Sequence, residues 1–186
     1  MKKLIIVSGY AQSGKTSMVN YIKTKYGYNI ASTSEVLGRF SEAIAKHVAG
    51  VYINTDDKRQ SAYINKRVLS SRDLKIAIAE NCIAPILSRK VLVCGFENGI
   101  RNSDVTVYEA FNYEEYNDFL SLYAKYFSTI DIVIVRRHSE KPDVDERELL
   151  EDTSQATWHL HNHSQDLEAW YRKIDEMLSV LTIPSY

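Results

Sequence analysis

The sequence predicts an α/β protein with a mainly parallel sheet of about five strands and helices on both faces. Two observations carry this. Apolar runs of strand length alternate along the chain with segments whose apolar residues recur at helical spacing. The first run, Leu4-Ile5-Ile6-Val7, leads through Ser8 into Gly9-Tyr10-Ala11-Gln12-Ser13-Gly14-Lys15-Thr16, and a helix-compatible segment follows directly. Strand, glycine loop and helix, in that order, is the context that gives such a loop its meaning.

The helix after the loop, Ser17 to Lys25, turns Met18, Val19 and Ile22 to one side. A second strand is expected around Tyr28 to Ala31. After Ser32-Thr33-Ser34-Glu35, a helix runs toward Val48 with Val36, Leu37, Phe40, Ile44 and Val48 at roughly helical spacing. Gly50 to Ser71 is polar and irregular, with Asp56-Asp57-Lys58-Arg59 and Lys66-Arg67. It reads either as solvated surface or as an insertion, residues 50–72, that covers an anionic acceptor. Ser70 or Ser71 caps the next helix, whose apolar face is Leu74, Ala77, Ile78 and Cys82, and Pro85 kinks or ends it.

Val91-Leu92-Val93-Cys94 reads as a buried strand ending at Gly95-Phe96-Glu97. Asn112 with Glu115 opens a tyrosine-rich helix to Phe127. Ile130 to Val135 is another strand, ending in Arg136-Arg137, and an acidic segment from His138 to Asp152 separates it from a short strand near Thr157 to His161. Ser164 caps a final helix. Its stripe of Leu167, Trp170, Tyr171, Ile174, Met177, Leu178 and Leu181 is core.

Bulk properties exclude several classes. At 186 residues the chain fits a single domain, 1–186, that can bury a sizeable core. A net charge of -1 gives no global pull toward nucleic acid or anionic membrane. No stretch approaches the length of a membrane span, and the apolar run after Met1-Lys2-Lys3 is too short for a secretion signal. Cys82 and Cys94 read as buried thiols in a reducing compartment, so the cytoplasm is the expected location. Monomer and homodimer both remain open.

The residues from Gly9 to Thr16 match G-x-x-x-x-G-K-[ST]. Glycines let successive backbone N–H groups point inward at phosphate oxygens, and the helix from Ser17 onward adds its positive end. Gly9, Ala11, Gln12, Ser13, Gly14, Lys15, Thr16 and Ser17 therefore form the expected binding segment for a nucleoside triphosphate. Lys15 supplies a point charge to the terminal phosphates and the Thr16 hydroxyl a ligand for Mg²⁺.

Four further groups follow the other strands. Glu35 either takes a proton from an acceptor hydroxyl, anchors an acceptor, or simply suits the helix dipole; Arg39 is placed for an acceptor phosphate. Glu97 is a candidate second Mg²⁺ ligand and Arg101 a phosphate contact. Arg136, Arg137 and Arg147, in a candidate lid at 136–152, either stabilise charge on a transferring phosphoryl group or pair with neighbouring acids. His159, His161 and His163 share one face of an extended segment, where Asn162, His163 and Ser164 suit a loop beside adenine better than a metal site.

These residues resemble the P-loop nucleoside monophosphate kinases over most of the chain. Gly9 to Thr16 is the phosphate loop. Ser32-Thr33-Ser34-Glu35 resembles the Ser-Thr-Gly-Asp segment of adenylate kinases, Cys94-Gly95-Phe96 their Asp-Gly-Phe-Pro-Arg turn, and Asn162-His163-Ser164 with Leu167 their Asn-x-x-x-x-Leu ending. Cys94 replaces the aspartate, Glu97-Asn98 replaces Pro-Arg, and Arg39 comes one residue later than the family's arginine. The pattern is most similar to phage-type deoxynucleoside monophosphate kinases. The resemblance implies a P-loop kinase-like three-layer sandwich with ATP and Mg²⁺ as cofactors. It implies a small-molecule nucleotide as acceptor. The competing readings are a kinase acting on a hydroxyl of a nucleoside or nucleic acid, such as a hydroxymethylated pyrimidine in phage DNA, and a nucleotide-binding regulatory protein.

Overall fold

The computed structural model describes residues 1–10, 13–49, 61–64, 67–83, 85, 90–110, 113–137, 156–162 and 166–181. These form two compact units, Met1–Ala31 with Phe96–Tyr186, and Ser32–Gly95.

The first unit carries a five-stranded sheet. Its strands are β1 (Lys3–Ser8), β2 (Asn29–Ser32), β5 (Val105–Glu109), β6 (Thr129–Arg137) and β7 (Trp158–Asn162), in the order β2-β5-β1-β6-β7. β1 pairs in parallel with β5 on one side and β6 on the other, and β6 pairs in parallel with β7. Leu4, Ile5, Ile6 and Val7 are all fully buried, which is why this strand is a continuous apolar run.

Helices cover both faces. Ile5, Val7, Val107 and Val133 pack against α1 (Lys15–Tyr26) and the last helix, α7 (Leu167–Leu181), where Trp170, Ile174 and Met177 are core as expected. On the opposite face Tyr108 of β5 stacks on Phe119 of α6 (Tyr113–Tyr123), with ring centroids 3.9 Å apart. The architecture is a three-layer α/β sandwich.

Register aligns the strand ends. Val7 stands opposite Glu109, Ser8 opposite Ile134, and Arg137 opposite Asn162. The segments that leave these carboxyl ends share one edge of the sheet, where ligands of such sheets bind. The other edge is tied by Lys2, whose ammonium donates to the carbonyls of Ile100, Arg101 and Ser103 at 2.6–2.9 Å.

The second unit contains α2 (Thr33–Ala49), an antiparallel hairpin of β3 (Ser61–Ile64) and β4 (Arg67–Ser70), α3 (Ser71–Ile78) continued by a wide turn at Ala79–Ile83, and α4 (Val91–Cys94). Ser70 caps α3 as anticipated: its hydroxyl accepts from the Asp73 N–H, and the Asp73 carboxylate accepts from the Ser70 N–H. Leu37, Ala45, Leu74, Ile78, Ile83 and Leu92 form the core of this unit.

Four expectations change. Val91–Cys94 is a short helix, not a strand; a run of four apolar residues satisfies either, and here only Leu92 and Val93 are buried. The third strand of the sheet in chain order is instead Val105–Glu109. Cys82 and Cys94 are exposed, because each falls on the outer side of a helical turn. On α2, burial follows Leu37, Ser41 and Ala45 at four-residue spacing, which leaves Phe40 and Ile44 on the exposed side.

α1 and α7 are clamped at the far end from the glycine loop. Tyr21 stacks on Tyr171, and the Asp175 carboxylate accepts hydrogen bonds from Tyr21, Lys25 and Tyr26 at 2.7–3.0 Å. Partial burial pushes the Asp175 pKa up, but the bonds from Lys25, Tyr26 and Tyr21 outweigh it and hold the group below its ordinary value. A depressed carboxyl contributes stability above its unfolded pKa and loses it as pH falls through the folded one. Asp175→Asn should therefore lower the melting temperature at neutral pH and flatten its decline below about pH 4, as measured by thermal unfolding across pH.

Candidate functional site

The glycine loop begins where β1 ends. Gly9 has φ 147° and Gly14 φ 107°, backbone conformations in the left-handed half of the map that glycine adopts at little cost. Space matters as much. A Cβ on Gly9 would collide with the Val135 carbonyl oxygen of β6, and one on Gly14 would lie 2.7 Å from the Asn162 amide nitrogen. Gly14 is the N-cap of α1, and its carbonyl accepts the first helical bond, from Met18 N–H at 2.9 Å.

Lys15 folds back over the loop, where its ammonium donates to the carbonyls of Gly9 and Tyr10, the latter at 2.8 Å. Thr16 follows on the first turn of α1, and its hydroxyl donates to Glu109 Oε1 at 3.0 Å. Glu109 is the last residue of β5, beside Val7 in the register. A hydroxyl oxygen and a carboxylate oxygen in contact beside the helix N-terminus are a hard-oxygen donor pair of the kind Mg²⁺ takes.

Glu109 is the residue that sequence reasoning missed. Its signal was present: Val105-Thr106-Val107-Tyr108 is rich in β-branched and aromatic residues, and Asn102-Ser103-Asp104 before it is turn-forming. The stronger apolar run at Val91–Cys94 displaced it. Glu97, the residue expected in this role, lies on α5 (Glu97–Arg101) before the amino end of β5. There it accepts from Tyr126 at 2.6 Å and from Arg101 at 2.6 Å, and these two bonds, Tyr126 first, lower its pKa. Arg101 is engaged by Glu97 and packs over the Tyr126 ring. Both residues stand at the Lys2 edge of the sheet, away from the loop, because the strand they were expected to follow is not one.

The other candidates divide. Gly9, Ser13, Gly14, Lys15, Thr16 and Ser17 come together, and Asn162 joins them through a hydrogen bond from its amide to the Ser13 carbonyl at 3.2 Å. Arg136 and Arg137 are exposed at the carboxyl end of β6. Glu35 and Arg39 belong to the second unit and pair with each other at 2.8 Å on α2, where the Ser32 hydroxyl accepts from the Glu35 N–H. Ala11, Gln12, Arg147 and His163 lie outside the described residues, as do residues 138–152 of the candidate lid. His159 and His161 are exposed on β7. Asp131 pairs with Lys3 at the opposite edge from the loop. Among the described residues no group of three or more His, Cys, Asp or Glu is arranged to hold a metal, and no helix is long and apolar enough to cross a membrane.

No protein-family model and no curated protein sequence matches the chain. Solved structures do. The crystal structure of TT1252 from Thermus thermophilus aligns with a TM-score of 0.51 and 16% identity, covering 98% of this chain and 99% of that one. Dephospho-CoA kinase from Campylobacter jejuni aligns at 0.48 with 12% identity and 98% of both chains covered. Shikimate kinase from Bacteroides thetaiotaomicron aligns at 0.46 with 12% identity, over 97% of this chain and 98% of that one. At 16% identity the alignment with TT1252 speaks to the fold alone.

The crowding at Gly9 yields a direct test. Gly9→Ala should destabilise the protein by about 1–3 kcal/mol in denaturant unfolding, because the loop must leave β6 to make room for a methyl group.

Proposed function

We propose that this chain is an ATP-dependent phosphotransferase whose acceptor is a (deoxy)nucleoside monophosphate, resembling the phage-type deoxynucleoside monophosphate kinases. The observation that carries the phosphotransferase reading is the Thr16–Glu109 contact beside the Gly9–Lys15 loop. It joins a phosphate cradle to a carboxylate at the end of the neighbouring strand. Thr16 and Glu109 would hold Mg²⁺, which when bound offsets charge on the terminal phosphates of ATP.

The chain's own groups divide the remaining work. The loop amides and the N-terminus of α1 bind phosphate oxygens, and Lys15 exchanges two carbonyl partners for the more strongly charged terminal phosphates. An acceptor oxygen attacks the terminal phosphorus, the bond to the bridging oxygen breaks, and ADP leaves with that electron pair. Arg136 and Arg137, leaving the carboxyl end of β6, are the described cations proposed to stabilise the equatorial oxygens, with Arg147 as the further candidate. A lid over residues 136–152 would exclude water, the competing acceptor.

The acceptor class rests on Ser32-Thr33-Ser34-Glu35 at the β2–α2 junction and on Arg39 one turn later. A phosphate acceptor is already an anion and needs cations rather than a base. One observation favours a second reading, transfer to a hydroxyl of a nucleoside or of DNA: a carboxylate, Glu35, stands in the first turn of α2. Under the first reading Arg39→Ala costs more activity than Glu35→Gln; under the second the order reverses while ATP binding survives.

A transfer assay with labelled ATP against nucleosides, NMPs, dNMPs and single- and double-stranded DNA checks the proposal. The expected product is a labelled nucleoside diphosphate, and transfer to none of these with ATP still bound would overturn it. Lys15→Ala should lower the rate by about 10²-fold or more, and Glu109→Gln should raise the Mg²⁺ concentration needed for half-maximal activity.

A further inference from the structure

Resting on the reading of Gly9–Thr16 as a triphosphate site, we propose that Asn162 is a positioning residue. Through the Ser13 carbonyl it aims the Gly14 N–H at the bound phosphates, with Trp170 as the floor that keeps it there. The sequence places Asn162 beside the base; the contact geometry assigns its side chain to the loop.

The argument starts from one peptide group. Asn162 Nδ2 donates to the Ser13 carbonyl at 3.2 Å. The Ser13–Gly14 peptide is trans, so its N–H points opposite to its C=O. Fixing the carbonyl toward β7 therefore fixes the Gly14 N–H away from it. Gly14 is the N-cap of α1, so this N–H lies with the first-turn amides that helix geometry leaves without an intrahelical acceptor, the kind of group that binds an anion. With φ at 107°, Gly14 has no side chain to restrain this peptide's rotation, and the Asn162 bond adds a restraint from outside the loop.

The surroundings show that Asn162 is placed for this task. Asn162 and the indole of Trp170 pack beneath Gly14, with Trp170 Cζ2 and Cε2 3.5 and 3.6 Å from where a Gly14 Cβ would stand. Asn162 Oδ1, Trp170 Nε1 and Ser13 Oγ are all buried without a hydrogen-bond partner among the described residues. Buried polar groups left unpaired are costly, and such groups mark places where something other than stability sets the arrangement. The Asn162 amide is thus held in a tight slot with its donor spent on the loop. Reversing the amide would set Oδ1 against the Ser13 oxygen, acceptor to acceptor. Trp170 is anchored by the core of α7, and Asn162 by its register opposite Arg137, so both ends of the strut belong to rigid elements.

Asn162→Leu removes the donor while keeping the same number and branching of side-chain heavy atoms, and without adding charge near the phosphates. Isothermal titration of Mg·ATP and of Mg·tripolyphosphate, which lacks the base, separates a loop role from a base role. The variant should lose about tenfold or more in affinity for both ligands and by the same factor. In ¹⁵N-labelled protein the Gly14 amide resonance, displaced by tripolyphosphate in the wild type, should move less in the variant. Asn162→Ala provides the same loss of donor should leucine not fold. Wild-type affinity for both ligands in a folded variant would overturn the proposal. So would a loss confined to ATP, which would return Asn162 to the base. A wild-type protein that binds neither ligand would instead sink the triphosphate reading beneath it.

Discussion

The candidate site depends on one close passage of backbone, the crossing of Gly9 over the carbonyl of Val135. β1 is hydrogen-bonded on both sides, so its carboxyl end cannot shift without breaking two ladders. The chain must turn immediately, and it does so against β6 with no room for a Cβ. That turn sets where Gly14 begins α1, and α1 in turn carries Lys15 and Thr16. The register between β1 and β5 then brings Glu109 to Thr16. Glycine, two parallel ladders and one helix N-terminus thus place the described groups of the candidate site around the loop.

The polar groups of the loop are matched in kind to what a triphosphate would bring. Lys15 rests on carbonyl oxygens of Gly9 and Tyr10, and Thr16 on a carboxylate oxygen of Glu109. Phosphate oxygens would replace the carbonyl partners of Lys15 without leaving its donors unmade, and a cation would take up the Thr16 and Glu109 oxygens together. The clamp of Tyr21, Lys25, Tyr26 and Asp175 holds the other end of α1 to α7, which confines any adjustment to the first turn.

Much of this was legible in the sequence, for reasons that differ by element. β1 and the loop are read from local chemistry: an apolar run that must be buried on both faces, then glycines at fixed spacing. The stripe of α7 is equally local from Trp170 to Leu181, although Leu167, expected at its start, is exposed because the first turn projects beyond the core. The error at Val91–Cys94 arose because four apolar residues carry no period, and only tertiary burial of Leu92 and Val93 beside exposed Val91 and Cys94 distinguishes helix from strand. That error pointed to Glu97 and Arg101 in place of Glu109, the carboxylate that contacts Thr16. Asn162 was singled out, but its partner, Ser13, is 149 residues away in sequence, and no local pattern encodes a side chain reaching a distant carbonyl.

Trp170 gives the molecule a built-in optical reporter. One of only two tryptophans in the chain, it lies in the buried core directly under Gly14, whereas Trp158 stands at the opposite end of β7. Indole emission depends on local polarity and nearby dipoles. A rearrangement of the Ser13–Gly14 peptide would thus be visible in the intrinsic fluorescence of the unlabelled protein, with a Trp158→Phe background isolating the residue beneath the loop.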